Sequence, residues 1–216
     1  YKQMWHIPFT SVFFFLFLSV LFSHQNWLTL IVLCLWFVSP VIACLISRAS
    51  VLEKAQLSEE QINILKNLSR KTWAFFEELI TKEDNWLPPD NFQEEPVRSL
   101  AHRTSPTNIG FALLANLTAY DFGYLSMGRM FNRAEKTFDT LNVMEKYRGH
   151  FYNWYDTQTL KPLLPLYVSS VDSGNLVGSL IILRNGLMEM KNQKIVSLNI
   201  FDGLETTLRV LLQSVT

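Results

Sequence analysis

Residues 173–190 read SGNLVGSLIILRNGLMEM. The spacing of Leu176, Val177, Leu180, Ile181, Leu183 and Leu187 predicts a helix that is apolar around much of its circumference, as a helix buried among other helices must be. The segments before it repeat the helical period. Ser126 opens a stretch in which Met130, Ala134, Phe138, Leu141 and Met144 recur in steps of three to four, with Gly149 just past its end. Pro106 and Thr107 open another, carrying Ile109, Leu113, Leu114 and Leu117, and Gly123 can close it with a left-handed cap. Ser58-Glu59-Glu60-Gln61 has the spacing of a capping box, and Ile62, Leu65, Leu68, Phe76 and Leu79 follow on one face, so residues 58–80 are expected to form one helix. A fifth begins at Asp202, with Glu205 three residues on. No strand-rich region interrupts them, and the fold class is mainly α.

The remaining apolar residues lie upstream. The chain has 216 residues, 49% hydrophobic and 18% charged, but residues 7–46 hold most of the apolar runs. Trp27–Ile46, WLTLIVLCLWFVSPVIACLI, contains no charge and is long enough at 1.5 Å per residue to cross a hydrocarbon layer. Pro40 is expected to kink it. Ile7–Ser23, IPFTSVFFFLFLSVLFS, is uncharged but shorter, and a signal peptide is the competing reading. The initial Tyr1, the lack of a small-residue cleavage site and the immediate passage through 24–26 into the second run favour a helical hairpin. Lys2 on one side and Arg48 and Lys54 on the other place both ends in the cytoplasm. The expected organisation is a membrane region at 1–48 with spans at 7–23 and 27–46, a linker at 49–57 and a helical domain at 58–216.

Composition excludes some chemistry. Lys+Arg and Asp+Glu both number 19, so no charge excess points to nucleic acid. Cys34 and Cys44 sit in one apolar run and suggest neither a disulfide nor a metal site. No phosphate-cradling glycine loop appears, and no cofactor is implied.

Two long connections carry the polar and aromatic residues suited to a saccharide site. Residues 81–105, TKEDNWLPPDNFQEEPVRSLAHRTS, include Trp86 and Phe92; residues 150–172, HFYNWYDTQTLKPLLPLYVSSVD, crowd Phe151, Tyr152, Trp154 and Tyr155 together and have room for a hairpin at 156–160. Flat rings offer apolar faces to sugar rings, while carboxylates and amides bind hydroxyls. Glycoside chemistry also needs two carboxyl groups about 5–10 Å apart. Asp90, Glu94, Glu95, Asp156 and Asp172 are the candidates. Each has a plainer role: Glu94 and Glu95 as solvated loop residues, Asp90 and Asp156 as turn formers, Asp172 as a helix N-cap. His102 and Arg103 could bind an anion, although Arg103 paired with a loop carboxylate is simpler.

Four blocks, LPPDNFQEEP at 87–96, AHRTSPTNIG at 101–110, RGHFYNWYDTQTLKPL at 148–163 and YVSSVDSGNLVG at 167–178, closely resemble cyclic β-1,2-glucan synthases. The resemblance covers roughly residues 27–190. It implies a large, multi-pass enzyme of the bacterial inner membrane that polymerises glucose from UDP-glucose, cyclises the chain and trims it. This segment resembles the last membrane helices and the start of the glycoamylase-like middle domain, an (α/α)6 toroid of which five helices are less than half. The implied partners are β-1,2-glucan, the lipid bilayer and the rest of the synthase. Catalytic carboxylates are expected outside the segment, as are the UDP-glucose and divalent metal. Asp90, Asn91, Arg103, Trp154, Asp156 and Asp172 are expected to contact glucan or scaffold its site. The other reading is a non-catalytic, membrane-tethered glucan-binding module.

Overall fold

The structure, a computed structural model, describes residues 4, 6–21, 27–47, 56–191, 193–194 and 197–215. The expected turn at 24–26, most of the expected linker, and Lys2, Arg48 and Lys54 lie outside them. The chain divides into two units, Tyr1–Gln56 and Leu57–Thr216.

The first unit is a pair of helices, α1 (His6–Leu21) and α2 (Trp27–Ile46). Ser11 Oγ donates to the Leu33 carbonyl oxygen at 2.8 Å, and the Phe14 and Trp36 rings meet at 5.7 Å. Pro40 has no N–H for the Trp36 carbonyl one turn earlier; Ser39 Oγ donates to that oxygen instead, at 2.7 Å. A side-chain hydroxyl thus takes the place of the missing backbone donor at that carbonyl. Phe13, Phe17, Leu35 and Val41 are exposed around the pair. Among the described residues α2 is the one helix long and apolar enough to cross a membrane, and α1 is an apolar but shorter helix. This surface is compatible with membrane association.

The second unit is built on five helices, α3 (Glu59–Leu79), α4 (Pro106–Asp121), α5 (Met127–Val143), α6 (Ser170–Met190) and α7 (Asn199–Val215). All five expected helices are present. Local chemistry sets their starts: Ser58 and Gln61 form the reciprocal capping box of α3, and Ser105 and Ser126 Oγ accept from the N–H three residues on. Gly123, at φ +74, follows the last turn of α4 in the left-handed conformation expected of it. Gly149 has a different role. At φ +85 it turns the hairpin between β4 (Lys146–Tyr147) and β5 (His150–Phe151), well beyond the end of α5. Helix α6 begins before the expected Ser173, because Ser169 Oγ accepts from Asp172 N–H at 3.1 Å and caps the helix there. Likewise α7 starts at Asn199 rather than Asp202.

Helices α4 and α6 run parallel: Thr107 bonds Asp172, Gly110 faces Ser179, Leu117 faces Gly186 and Tyr120 bonds Gln193, in that order along both. The glycines permit the approach, since a Cβ on Gly110 would stand 2.7 Å from Ser179 Oγ. Helix α3 runs antiparallel to α4, its middle bonded to Tyr124, just past the end of α4, through Ser69 Oγ. It lies parallel to α7, where Arg70 Nε donates to Thr207 Oγ1 at 3.1 Å. Ile109, Leu113, Met130, Leu183 and Tyr155 lie at the core with 2% exposure or less. Other apolar side chains remain uncovered, notably Val177, Ile181 and Ile182 on α6 and Leu204, Leu208 and Leu211 on α7.

Not every glycine of α6 serves packing. Gly178 is exposed and a Cβ there would meet nothing within 4 Å. Gly178→Ala should therefore stabilise the unit by about 0.5–1 kcal/mol, by relieving the entropic cost of a mid-helix glycine. A denaturation midpoint at or below wild type would show that the position packs against something.

Candidate functional site

Short strands join the two long connections. β1 (Phe92–Gln93) pairs with β2 (Ser99–Leu100) as a hairpin that Ala101 N–H extends by donating to the Asn91 carbonyl at 3.0 Å. β3 (Arg103–Thr104) then pairs antiparallel with β6 (Tyr155–Asp156), Arg103 opposite Asp156 and Thr104 opposite Tyr155. Buried Tyr155 fixes this crossing: its hydroxyl accepts from Tyr152 N–H and donates to the Glu145 carbonyl, at 2.8 and 2.7 Å. Burial pushes that phenol up to about 12, so it stays a donor at any ordinary pH.

The pairing places residues from both connections beside the first turns of α4 and α6. Arg103 Nε and Nη2 donate to Asp90 Oδ2 at 3.1 and 2.9 Å, and Asn91 Nδ2 donates to the same oxygen at 3.1 Å. Asn108, on α4, donates to Asp90 Oδ1 at 3.2 Å. The Arg103 guanidinium lies 5.0 Å above the Trp154 ring, so it is held by charge on one side and by π density on the other. It is nonetheless half exposed, at 51% of its side chain. Arg103 is thus paired with a loop carboxylate, as its plainer reading had it, while still presenting polar surface.

Asp172 completes the arrangement. Its Oδ1 accepts from Thr107 Oγ1 at 2.7 Å, and Asn175 Nδ2 donates to that hydroxyl oxygen at 3.1 Å. With the Asn153 amide turned so that its oxygen meets two donors, it accepts from Trp154 Nε1 at 2.7 Å and Tyr167 OH at 2.6 Å, and donates to Asp172 Oδ2 at 2.9 Å. One network therefore runs from Asp90 through Arg103, Trp154 and Asn153 to Asp172 and Thr107. Asp172 is not the helix cap its position suggests: Ser169 caps α6, and the Asp172 carboxylate is free to face α4.

Burial pushes the Asp172 carboxyl up, but hydrogen bonds from Ser169, Thr107 and Ser105 outweigh it and leave the group below the ordinary carboxylate value. A carboxyl depressed in the folded state stabilises that state above its unfolded value of about 3.9 and ceases to do so as pH falls through the folded value. Asp172→Asn should therefore reduce the loss of stability as pH falls below the ordinary carboxylate value of about 3.9, relative to wild type. Denaturant titrations at neutral and acid pH measure this, and equal losses in both proteins would reject the role.

Asp156 stands apart. Its Oδ1 accepts from Gln158 and Thr159 N–H at 3.1 and 2.7 Å and from Thr159 Oγ1 at 2.8 Å, closing its own turn. The bond from Thr159 N–H leads the causes that hold its carboxyl low. Glu94 and Glu95 lie exposed in the β1–β2 hairpin region. The sequence assigns no site role to Thr107, Asn108, Asn153, Tyr167 and Asn175, although each lies within one of the four quoted blocks. Nor does it mark Asp84, buried at 2% exposure, which accepts from Thr157 Oγ1 and from His102 Nδ1 at 2.8 Å. Among the described residues no group of three His, Cys, Asp or Glu gathers as a metal site.

No family model matches the chain. Over 148 residues, 68% of its length, it is 49% identical to cyclic β-(1,2)-glucan synthase NdvB of Rhizobium meliloti strain 1021. The chain is homologous to part of a cyclic β-1,2-glucan synthase. It spans 5% of that synthase's length. In fold it matches a glucoamylase-like protein from Bacteroides fragilis at a TM-score of 0.51 and 17% identity, over 74% of this chain and 37% of that one. A second from Bacteroides caccae matches at 0.52 and 17%, over 71% and 36%. The glucan synthase homologue thus has a mainly helical, glucoamylase-like fold.

Proposed function

We propose that this chain is a segment of a cyclic β-1,2-glucan synthase and that the surface formed by Asp90, Asn91, Arg103, Trp154 and Asp172 holds β-1,2-glucan while the glucan is cyclised by transglycosylation. The observation that carries the reading is the continuous network from Asp90 to Asp172. It gathers a half-exposed guanidinium, an aromatic ring, amides and two carboxylates at the starts of α4 and α6, the mixture of flat apolar and hydroxyl-binding groups a sugar chain needs. Asp156 contributes by closing the turn that presents Trp154.

The carboxylates that break and form glycosidic bonds would come from the rest of the synthase. The acidic groups of this surface are committed to protein donors, which suits binding better than proton transfer. No cofactor acts in this segment. The five helices would be the first part of an (α/α)6 toroid at 58–216, the uncovered faces of α6 and α7 meeting its further helices, since exposed apolar patches mark missing partners. α1 and α2 would be the last two spans of a multi-pass protein of the bacterial inner membrane, with 49–57 as a linker and the helical domain in the cytoplasm.

Calorimetric titration of the detergent-solubilised chain with linear and cyclic β-1,2-glucans, with product analysis, tests the proposal. Binding without turnover is the expected result. Turnover by this chain alone would place the catalytic groups within it, and a folded sample that bound neither glucan would sink the binding role.

A further inference from the structure

A cleft of about 540 Å³ lies between α3, the start of α5 and the turn at Trp86, within the usual range of small-ligand sites. Trp73, only 4% exposed, forms its floor. Trp86 forms a wall. Its backbone and that of Asn85 are left-handed, at φ +59 and +52, a conformation bulky residues avoid unless the surroundings impose it. Here Thr137 Oγ1 and Thr140 Oγ1 donate to the Trp86 and Asn85 carbonyls at 3.1 and 2.6 Å. Lys136 Nζ stands 3.9 Å over the indole ring and further fixes it.

The polar groups of this cleft are largely uncommitted. Arg133 donates through Nε to Asn116 Oδ1 and through Nη2 to the Phe76 carbonyl, at 3.0 and 2.6 Å, which locks its plane 5.3 Å over Trp73 and leaves Nη1 without a partner among the described residues. Arg129 and Asn132 are exposed and their side chains bond to no described residue. Glu77 gives one oxygen to Arg70 at 2.8 Å and keeps the other as an acceptor. Free donors on Arg133, Arg129 and Asn132 and free acceptor oxygens on Glu77 and Asn132 therefore line the same cleft as two indole rings. Sugar hydroxyls, which both donate and accept, can use both kinds of group, and the indoles offer apolar faces to sugar rings.

We infer that this cleft is a second saccharide site, binding a short stretch of neutral glucan apart from the surface at Asp90 and Asp172. The inference rests on the proposed function for the class of ligand alone; its residues are different. Trp86 and Asp90 lie on the same connection, separated by Leu87, Pro88 and Pro89, all fully buried, so each site is held by the same rigid segment.

Titrating the full, solubilised chain with a linear β-1,2-linked glucose trisaccharide, short enough to occupy one site, should give two sites per chain. Trp86→Ala and Asn132→Ala should each weaken one of them by about tenfold or more and leave the other unchanged. Asn132 is exposed and unbonded, so that variant keeps the fold even if Trp86→Ala does not. Trp154→Ala should do the converse. A single site that Trp154→Ala removes and both cleft variants leave intact would overturn the second site and spare the proposed function. A single site lost in the Trp86 and Asn132 variants but kept in Trp154→Ala would support the second site and overturn the first. No binding by the folded wild type overturns both.

Discussion

Gly123→Ala should be the most damaging single substitution in the helical unit, at about 3–5 kcal/mol. Two costs add. At φ +74 the backbone is left-handed, which a side chain makes unfavourable by about 1–2 kcal/mol. The added Cβ would also stand 1.9 Å from the Asn199 carbonyl oxygen, a backbone atom that cannot rotate aside. Gly203 meets the same crossing from α7: its Cβ would lie 2.3 Å from the Gly123 carbonyl oxygen, so Gly203→Ala should cost about 1–3 kcal/mol despite alanine's better helix propensity. The end of α4 and the start of α7 approach this closely because neither carries a side chain there. Chemical denaturation of both variants measures the cost, and limited proteolysis between α6 and α7 shows whether α7 undocks first. A Gly123→Ala midpoint equal to wild type would mean that the two helices do not meet as described.

Arg103→Ala and Trp154→Ala should each lower affinity for β-1,2-glucan by about tenfold or more, since buried or stacked Arg and Trp dominate binding energies. The two side chains are coupled: the guanidinium bonds Asp90 twice and lies over the indole, and the indole N–H fixes Asn153 against Asp172. Removing either loosens the line between α4 and α6. Arg103→Lys should not rescue binding, because an ammonium cannot reproduce both bonds to Asp90 while lying flat on the ring. Asp156→Ala should lower affinity by less than Trp154→Ala does, because its carboxylate is spent on residues 158 and 159 and acts only through the turn it closes. Calorimetry on the four variants separates these outcomes. Full affinity in Trp154→Ala would remove this surface from glucan binding.

Homology to a cyclic β-1,2-glucan synthase and likeness to glucoamylases come from different observations. Identity of 49% carries the family relationship, and a shared helical framework at 17% carries only the fold. Neither names the residues that hold a sugar. That assignment rests on which side chains the two connections bring together.

What the sequence determined by itself is what neighbouring residues decide. The five helices of the second unit, the Ser58–Gln61 box, the left-handed Gly123 and the apolar stretch at 27–46 are set by interactions three or four residues apart, so period and cap chemistry reveal them. The turn-closing role of Asp156 belongs to the same class. Tertiary structure alone decided the rest. Asp172 reads as a cap beside Ser173, but Ser169 captures its N–H and shifts the start of α6, releasing the carboxylate to Thr107 on another helix. Asp90 meets Asn108, and Asp84 meets Thr157, because the pairing of β3 with β6 and the parallel packing of α4 on α6 close long loops. Glycine at 110, 123 and 203 shows the same limit: each looks like local flexibility in the sequence, and each is required because another element's atoms occupy the place its side chain would take.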